Sequence, residues 1–351
     1  MESVALLEKL SNAFGVSGFE DEVREIIQKL IKPYVDELHV DALGNLIATR
    51  KGRSPHKLMF DAHMDEIGFM VSYIEESGFL RFAPLGSWDV RILPSHAMTI
   101  RTRSGTFVKG VIGTPPPHIL SEQERERPFK LEELFVDIGA RSRSEVEALG
   151  IRIGSPAVIA YPFERLNEKT VSGKAFDDRA GCAVLIQTLE RLQDASLDLT
   201  LVCNFAIGEE TGLRGARTAA YQIEPDLALA VEGTVGADTP GVPPPRQPAG
   251  LGKGPAITVA DRTLTVSGRL VRFLEGLAEE HSIPYQHKLP IYGGTDAGAI
   301  QTSKGGVLAG VTSVPCRYIH SPFSLLRLDD FENTIQLVNQ FARTAQQLLA
   351  A

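Results

Sequence analysis

Two histidines and a set of carboxylates stand at the ends of apolar segments. Asp61-Ala62-His63-Met64-Asp65 follows Leu58-Met59-Phe60, Gly208-Glu209-Glu210 follows the strand-like stretch 199–207, and Glu232 follows the stretch 227–231. Ala175-Phe176-Asp177-Asp178 opens a helical pattern, and Tyr318-Ile319-His320-Ser321-Pro322 precedes the last one. Imidazole and carboxylate together are the donor set of Zn²⁺, Co²⁺ or Mn²⁺. Two such ions about 3.5–4 Å apart need a bridging carboxylate, further ligands for each, and room for a shared water. Each piece alone has an ordinary reading. His63-x-Asp65 suits a surface polar cluster, Asp177-Asp178 a helix cap, Glu209-Glu210 a solvated turn, Glu232 a strand end, and His320 a cap or loop. Their occurrence together, each at an element's end, points to a metal centre.

Other chemistries lack their parts. There is no GxSxG elbow and no GxxxxGK[ST] loop, and Gly293-Gly294-Thr295-Asp296-Ala297-Gly298 lacks the lysine of a phosphate cradle. Cys182, Cys203 and Cys316 form no CxxC pair; Cys182 and Cys203 read as core residues, and three scattered cysteines suit a reducing compartment. His56, His96, His118, His281 and His287 stand near no carboxylate motif and read as structural.

Strand ends position such ligands when a sheet is covered by helices on both faces, because the crevice then lies at the carboxyl ends of the strands. The outer parts of the chain carry that pattern. Two helices flank Gly15 and Gly18, with Val23, Ile26, Ile27 and Leu30 at helical spacing in the second. Short strands follow at 35–40, 45–50 and 57–60. After about residue 169, helices with apolar stripes alternate with strands. The last helix carries Phe331, Ile335, Val338 and Phe341, and the Asp329/Glu332 spacing predicts a capping box at its start. Residues 236–255, rich in Gly and Pro, read as a loop.

Between about 68 and 164 the texture changes to short alternating strands broken by Gly, Pro and Ser, which predicts an inserted all-β unit. Residues 115–133 read as a long mobile surface loop. The expectation is an α/β fold with a mixed sheet, spanning 1–67 and 165–351, and a small β-barrel-like insert at 68–164.

Composition agrees. A chain of 351 residues allows two domains, and 43% hydrophobic with 23% charged residues is ordinary for a folded soluble protein. A net charge of −8 argues against a nucleic-acid partner. The first residues form an amphipathic helix rather than a signal peptide, and no apolar run reaches the roughly 18–20 residues of a membrane span. A cytoplasmic protein without membrane or nucleic-acid partners is expected.

At these residues the sequence resembles the M42 family of dinuclear metalloaminopeptidases, which includes glutamyl aminopeptidases and the tetrahedral TET particles. The resemblance runs through Ser17-Gly18-Phe19-Glu20, Asp41 to Asn45, Ala62 to Gly68, Gly110 to Gly113, Lys174 to Arg179, Gly208-Glu209-Glu210, Val231 to Thr234, Asp238 to Gly241, Gly294 to Ala297 and Arg317 to Pro322. It implies two divalent ions per subunit, Zn²⁺ or Co²⁺, with His63 and Glu210 on one, Glu232 and His320 on the other, and Asp177 bridging. It further implies Glu209 as the general base, Asp65 as the partner that fixes the His63 tautomer, and a cis peptide between Asp177 and Asp178. Many relatives carry Asp where this chain has Glu232, an equally competent ligand. They more often have an acidic residue after His320-Ser-Pro, where this chain reads Phe323 to Arg327, which leaves specificity open. The implied activity is removal of N-terminal residues from short peptides, with the insert as a dimerisation domain and dimers assembling to a dodecamer. Alternatives are a deacylase or carboxypeptidase of the same clan, a glycosidase, and a non-enzymatic protein with structural metals. On a strand, Glu209 and Glu210 would point to opposite sides, so they are expected to divide the roles of base and ligand.

Overall fold

The alternating strands and helices of the outer segments build an eleven-stranded mixed sheet in the computed structural model, which describes residues 1–349. Its centre is parallel. Lys57–His63 lies between Thr200–Ala206 and Leu227–Gly236, parallel to both, and Leu308–Arg317 continues beside Leu227–Gly236. These strands are buried almost throughout, as the continuous apolar runs require of a sheet covered on both faces. Leu46–Arg50 extends one side antiparallel; Ser324–Arg327 and Thr170–Gly173 extend the other.

The helix Phe176–Leu192 is buried along nearly its whole length against this sheet, with Ser3–Asn12 and Leu328–Thr344 packed on it. The last helix starts without the expected capping box. Arg327 holds Asp329 through Nε and Nη2 at 2.8 and 2.5 Å, leaving its Oδ1 only the neighbouring Asp330 amide at 3.2 Å, and Glu332 pairs with Arg191 at 2.7 Å, so the reciprocal box does not form. Ion pairing with a guanidinium took both side chains that the spacing assigned to the cap.

The inserted segment closes into a six-stranded antiparallel barrel. Around it run Gly68–Ile74, Leu80–Leu85, Phe135–Asp137, Phe107–Gly113, Ala97–Arg101 and Pro156–Ile159. The three-residue strand Phe135–Asp137 carries too little pattern to be read in advance. The barrel's core is Phe69, with Phe82 edge-on at 5.1 Å and Trp88 stacked at 4.8 Å, together with Leu80, Ile100, Ile112 and Val136. Residues 115–133 are exposed almost throughout and form short helical turns, with Glu122–Glu126 capped by Ser121. By its contacts the chain divides into two units. One comprises 1–65, 163–319 and the chain from Phe323 on; the other comprises 66–162 with His320 to Pro322. Among the described residues, no helix is long and apolar enough to cross a membrane. All three cysteines are buried and unpaired with one another, as core residues are.

Candidate metal centre

The register of the parallel strands gathers the site. Asp61 and His63, two apart, share one face of their strand. Asn204 pairs across from Asp61, Asp61 from Ala230, and Glu232 lies two beyond Ala230, so Glu232 projects on the same face as His63. The opening residues of the helix Phe176–Leu192 are non-helical, and there Asp177 and Asp178, joined by a cis peptide, come over these strands. The approach depends on glycine: a Cβ on Gly181 would stand 2.1 Å from the Val231 carbonyl oxygen, and one on Gly233 2.9 Å from the Cα of Asp177.

Ligand-type atoms meet in two groups that share His63. His63, Asp177 and Glu210 offer atoms within 4.8 Å of one another, and so do His63, Asp178 and Glu232. Four of the five residues expected as ligands therefore lie in one place in the first unit. The fifth, His320, belongs to the second unit, where its Nδ1 lies 3.1 Å from the Ser87 carbonyl oxygen. That contact sets Nδ1 as the donor and turns the Nε2 lone pair outward, the tautomer suited to a metal.

Asp65 is the hub beneath the cluster. Its Oδ1 lies 3.3 Å from His63 Nδ1 and accepts the Glu209 amide at 3.1 Å; its Oδ2 accepts the Glu210 amide at 3.2 Å and the Ser17 hydroxyl at 2.6 Å. The nearest acceptor to His63 Nδ1 is the Asp65 main-chain oxygen, at 3.1 Å. Both contacts put the Nδ1 hydrogen on the Asp65 side and aim Nε2 at the cluster, 3.2 Å from Asp177 Oδ1 and 3.8 Å from Glu209 Oε2. Glu209 and Glu210 do not separate by strand alternation. Residues 208–212 are a turn, opened by Gly208 at φ +59° and closed by amides of Gly212 and Leu213 on the Glu209 carbonyl, so both side chains reach the same pocket.

The electrostatics fit divalent cations. Burial pushes Glu209 up to about 8, with the charges of Glu210, Asp177 and Asp65 adding to it and His63 opposing. Burial and neighbouring acids likewise hold Asp178, Glu232 and Asp296 well above the carboxylate range. Burial disfavours the charged form of His63, yet Glu209, Asp177 and Asp65 together raise it well above the usual imidazole value. Asp65 alone goes down: burial opposes its ionisation, but His63, Ser17 and the Glu209 amide outweigh it. The raised values of these buried acids register their mutual repulsion around one imidazole. Positive ions in the same place relieve the same repulsion.

Several residues of the site have no assigned role in the sequence reading. Asp61 is fully buried, receives Asn204 Nδ2 at 2.6 Å and is pushed by burial to about 6. Asp296, present there only as part of the Gly294 to Ala297 motif, is fully buried and donates its amide to Glu232 Oε1 at 3.2 Å. Asp178 accepts the amides of His63 and Gly181 at 3.1 and 2.9 Å. The two-residue offset from His63 is the available signal for Asp61, and the Gly294 to Ala297 motif the one for Asp296. Of the histidines set aside, His56 contacts Asp226 at 2.9 Å and His287 contacts Glu275 at 2.6 Å, both on the surface.

The sequence matches the profile of the M42 glutamyl aminopeptidases over residues 44–337. A lysyl aminopeptidase of Pyrococcus furiosus is 36% identical over 335 residues, covering 95% of this chain and 94% of its own. Among solved structures, the TET aminopeptidase of Thaumarchaeota archaeon SCGC AB-539-E09 superposes with a TM-score of 0.95 at 38% identity, covering 97% and 96% of the two chains. Pyrococcus horikoshii TET1 peptidase, which can assemble into a tetrahedron or a large octahedral shell, superposes with a TM-score of 0.87 at 35% identity, covering 98% and 100%. A Thermotoga maritima protein described as an endoglucanase superposes at 0.81 with 36% identity, covering 98% of each chain.

Proposed function

The chain belongs to the M42 glutamyl aminopeptidase family and is a peptide-bond hydrolase, and from that premise we propose that it trims short peptides from the N-terminus with two divalent ions at the His63 cluster. The observation that carries this reading is the pair of ligand groups sharing His63, buried among acids that repel one another. His63 and Glu210 would hold one ion, Glu232 and His320 the other, and Asp177 would bridge. Zn²⁺ and Co²⁺ suit this nitrogen and oxygen set. Bound there, such ions supply Lewis acidity toward the scissile carbonyl and a water of lowered pKa.

The protein's own groups do the rest. Glu209, 11% exposed and 3.8 Å from His63 Nε2, takes the proton of the attacking water and delivers it to the leaving amine. Asp65 holds His63 in one tautomer and fixes the amides of both glutamates. The insert 68–164 serves as the dimerisation domain of a dodecamer, a reading supported by the exposed apolar Tyr73, Phe107 and Val111 on barrel strands and by the assemblies of the TET1 neighbour. The compartment is the cytoplasm.

Metal content measured beside turnover of aminoacyl arylamides, with and without chelator, tests the reading. About two ions per chain and chelator-sensitive turnover are expected. The endoglucanase description of one neighbour motivates a glycosidase reading, with two carboxylates as acid and base. Glycoside turnover that survives chelation, without arylamide turnover, would replace the proposal.

A further inference from the structure

Ser17-Gly18-Phe19-Glu20 carries part of the resemblance, yet the reaction as described gives it no work. Its side chains end at the metal centre. Ser17 is 7% exposed and donates its hydroxyl to Asp65 Oδ2 at 2.6 Å, the shortest of the contacts that hold the hub carboxylate. Glu20 is 4% exposed, and its Oε1 accepts the amides of Gly18 at 2.9 Å and Gly208 at 3.2 Å. Gly208 opens the turn that presents Glu209 and Glu210. The same loop is tied from behind. Arg179, fully buried, donates to the main-chain oxygens of Leu10, Ala13 and Gly15 on this side and of Met64 on the other, at 2.7, 3.2, 3.1 and 2.7 Å. Gly15 must be glycine for this, because a Cβ would meet Val23 Cγ2 at 2.8 Å and the Arg179 guanidinium at 2.9 Å.

We propose that Ser17 and Glu20 form a clamp, as positioning residues that fix the base Glu209 and the imidazole of His63 through Asp65 and Gly208. Two loops after different parallel strands carry the centre, 64–65 after Lys57–His63 and 207–212 after Thr200–Ala206. The last main-chain bond between them is the Met64 amide on the Ala206 carbonyl at 2.7 Å, and beyond it their separation is set by the side chains that bridge them. Asp65 bridges them directly, and Ser17 and Glu20 each hold one side from a common third segment. Ser17 takes one acceptor position of the Asp65 carboxylate, which leaves fewer orientations for the contacts with His63 and Glu209. A base displaced by a fraction of an ångström loses rate more than binding, because the reacting geometry is the sensitive quantity.

The clamp rests on Glu209 as the base, so the test includes it. Wild type, Ser17→Ala, Ser17→Thr, Val16→Ala and Glu209→Gln are purified with Zn²⁺ and compared for kcat, KM, metal content and melting temperature. Val16 is fully buried in the same loop without a polar contact to the centre, and reports a merely structural effect. Ser17→Ala is expected to lower kcat roughly tenfold, with KM within about twofold and metal content unchanged. Ser17→Thr, which keeps the hydroxyl, is expected to restore kcat to within about threefold, while Val16→Ala melts earlier at normal kcat. A Ser17→Ala enzyme within twofold of wild type, or rate losses in Ser17→Ala and Val16→Ala that follow melting temperature alike, overturns the clamp. If Glu209→Gln is inactive beside a fully active Ser17→Ala, the clamp alone fails. If Glu209→Gln keeps its rate, the reading of Glu209 fails and the clamp with it.

Discussion

The barrel and the unit that carries the His63 cluster bury opposite kinds of side chain. Among the described residues, the six barrel strands bury no polar side chain; their interior is Phe, Leu, Ile, Val, Met and Ala. The other unit buries Asp61, His63, Asp65, Asp178, Glu232 and Asp296 within the reach of one crevice, beside an apolar core of its own. Apolar burial contributes about 1.5–3 kcal/mol per large side chain. Acids brought together without water cost free energy unless protons or cations balance them. The difference separates two tasks: the barrel's interior serves stability, whereas the crevice gives up stability for chemistry.

Substitutions should therefore divide into two classes. The largest effect is expected from Glu232→Gln, which removes a proposed ligand. Turnover should fall by about a thousandfold or more, while the melting temperature of the chelated protein stays level or rises because one repelling acid is gone. A large loss of stability in the chelated variant would break the comparison. Leu80→Ala in the barrel should do the reverse. A fully buried leucine truncated to alanine costs about 2–5 kcal/mol, yet metal content and kcat of the folded protein should stay within about twofold, as read by denaturant unfolding beside kinetics.

The smallest effect is one of pH. Burial pushes Asp61 up to about 6 and Glu209 up to about 8 in the folded protein, above their ordinary carboxylate values. The folded state thus binds more protons than the unfolded state between about pH 4 and 8, and stability must fall as pH rises through that window. Chelated protein should melt at lower temperature at pH 8 than at pH 5. Metal-loaded protein should show a smaller slope, since the ions take over the protons' work. Equal slopes would mean that cations do not balance these acids.

What was legible in the sequence follows from the same physics. His63, Asp177 and Glu210 could be singled out because each stands at or just past the end of a strand or at the start of a helix, where the local apolar pattern changes, whereas Glu232 reads as a strand end but its strand runs on to Gly236. Asp61 and Asp296 could not be told from solvated carboxylates, since their burial and their contacts with Asn204 and Glu232 arise only when segments distant in the chain come together. Glu209 and Glu210 were placed by strand alternation, but the backbone had already turned at Gly208. Asp329 had the spacing of a cap and was captured by Arg327. The barrel's long strands declared themselves; Phe135–Asp137, held in place mainly by its neighbours, did not.

The central claim is that adjacent glutamates divide the work, Glu210 holding metal and Glu209 moving the proton. Metal titration and steady-state kinetics of Glu209→Gln and Glu210→Gln, run side by side, test it most directly. Glu209→Gln should retain close to two ions per chain while kcat falls at least about a hundredfold. Glu210→Gln should bind metal more weakly and recover part of its activity in excess Zn²⁺ or Co²⁺. Metal loss in Glu209→Gln, with loss of rate alone in Glu210→Gln, would contradict the assignment.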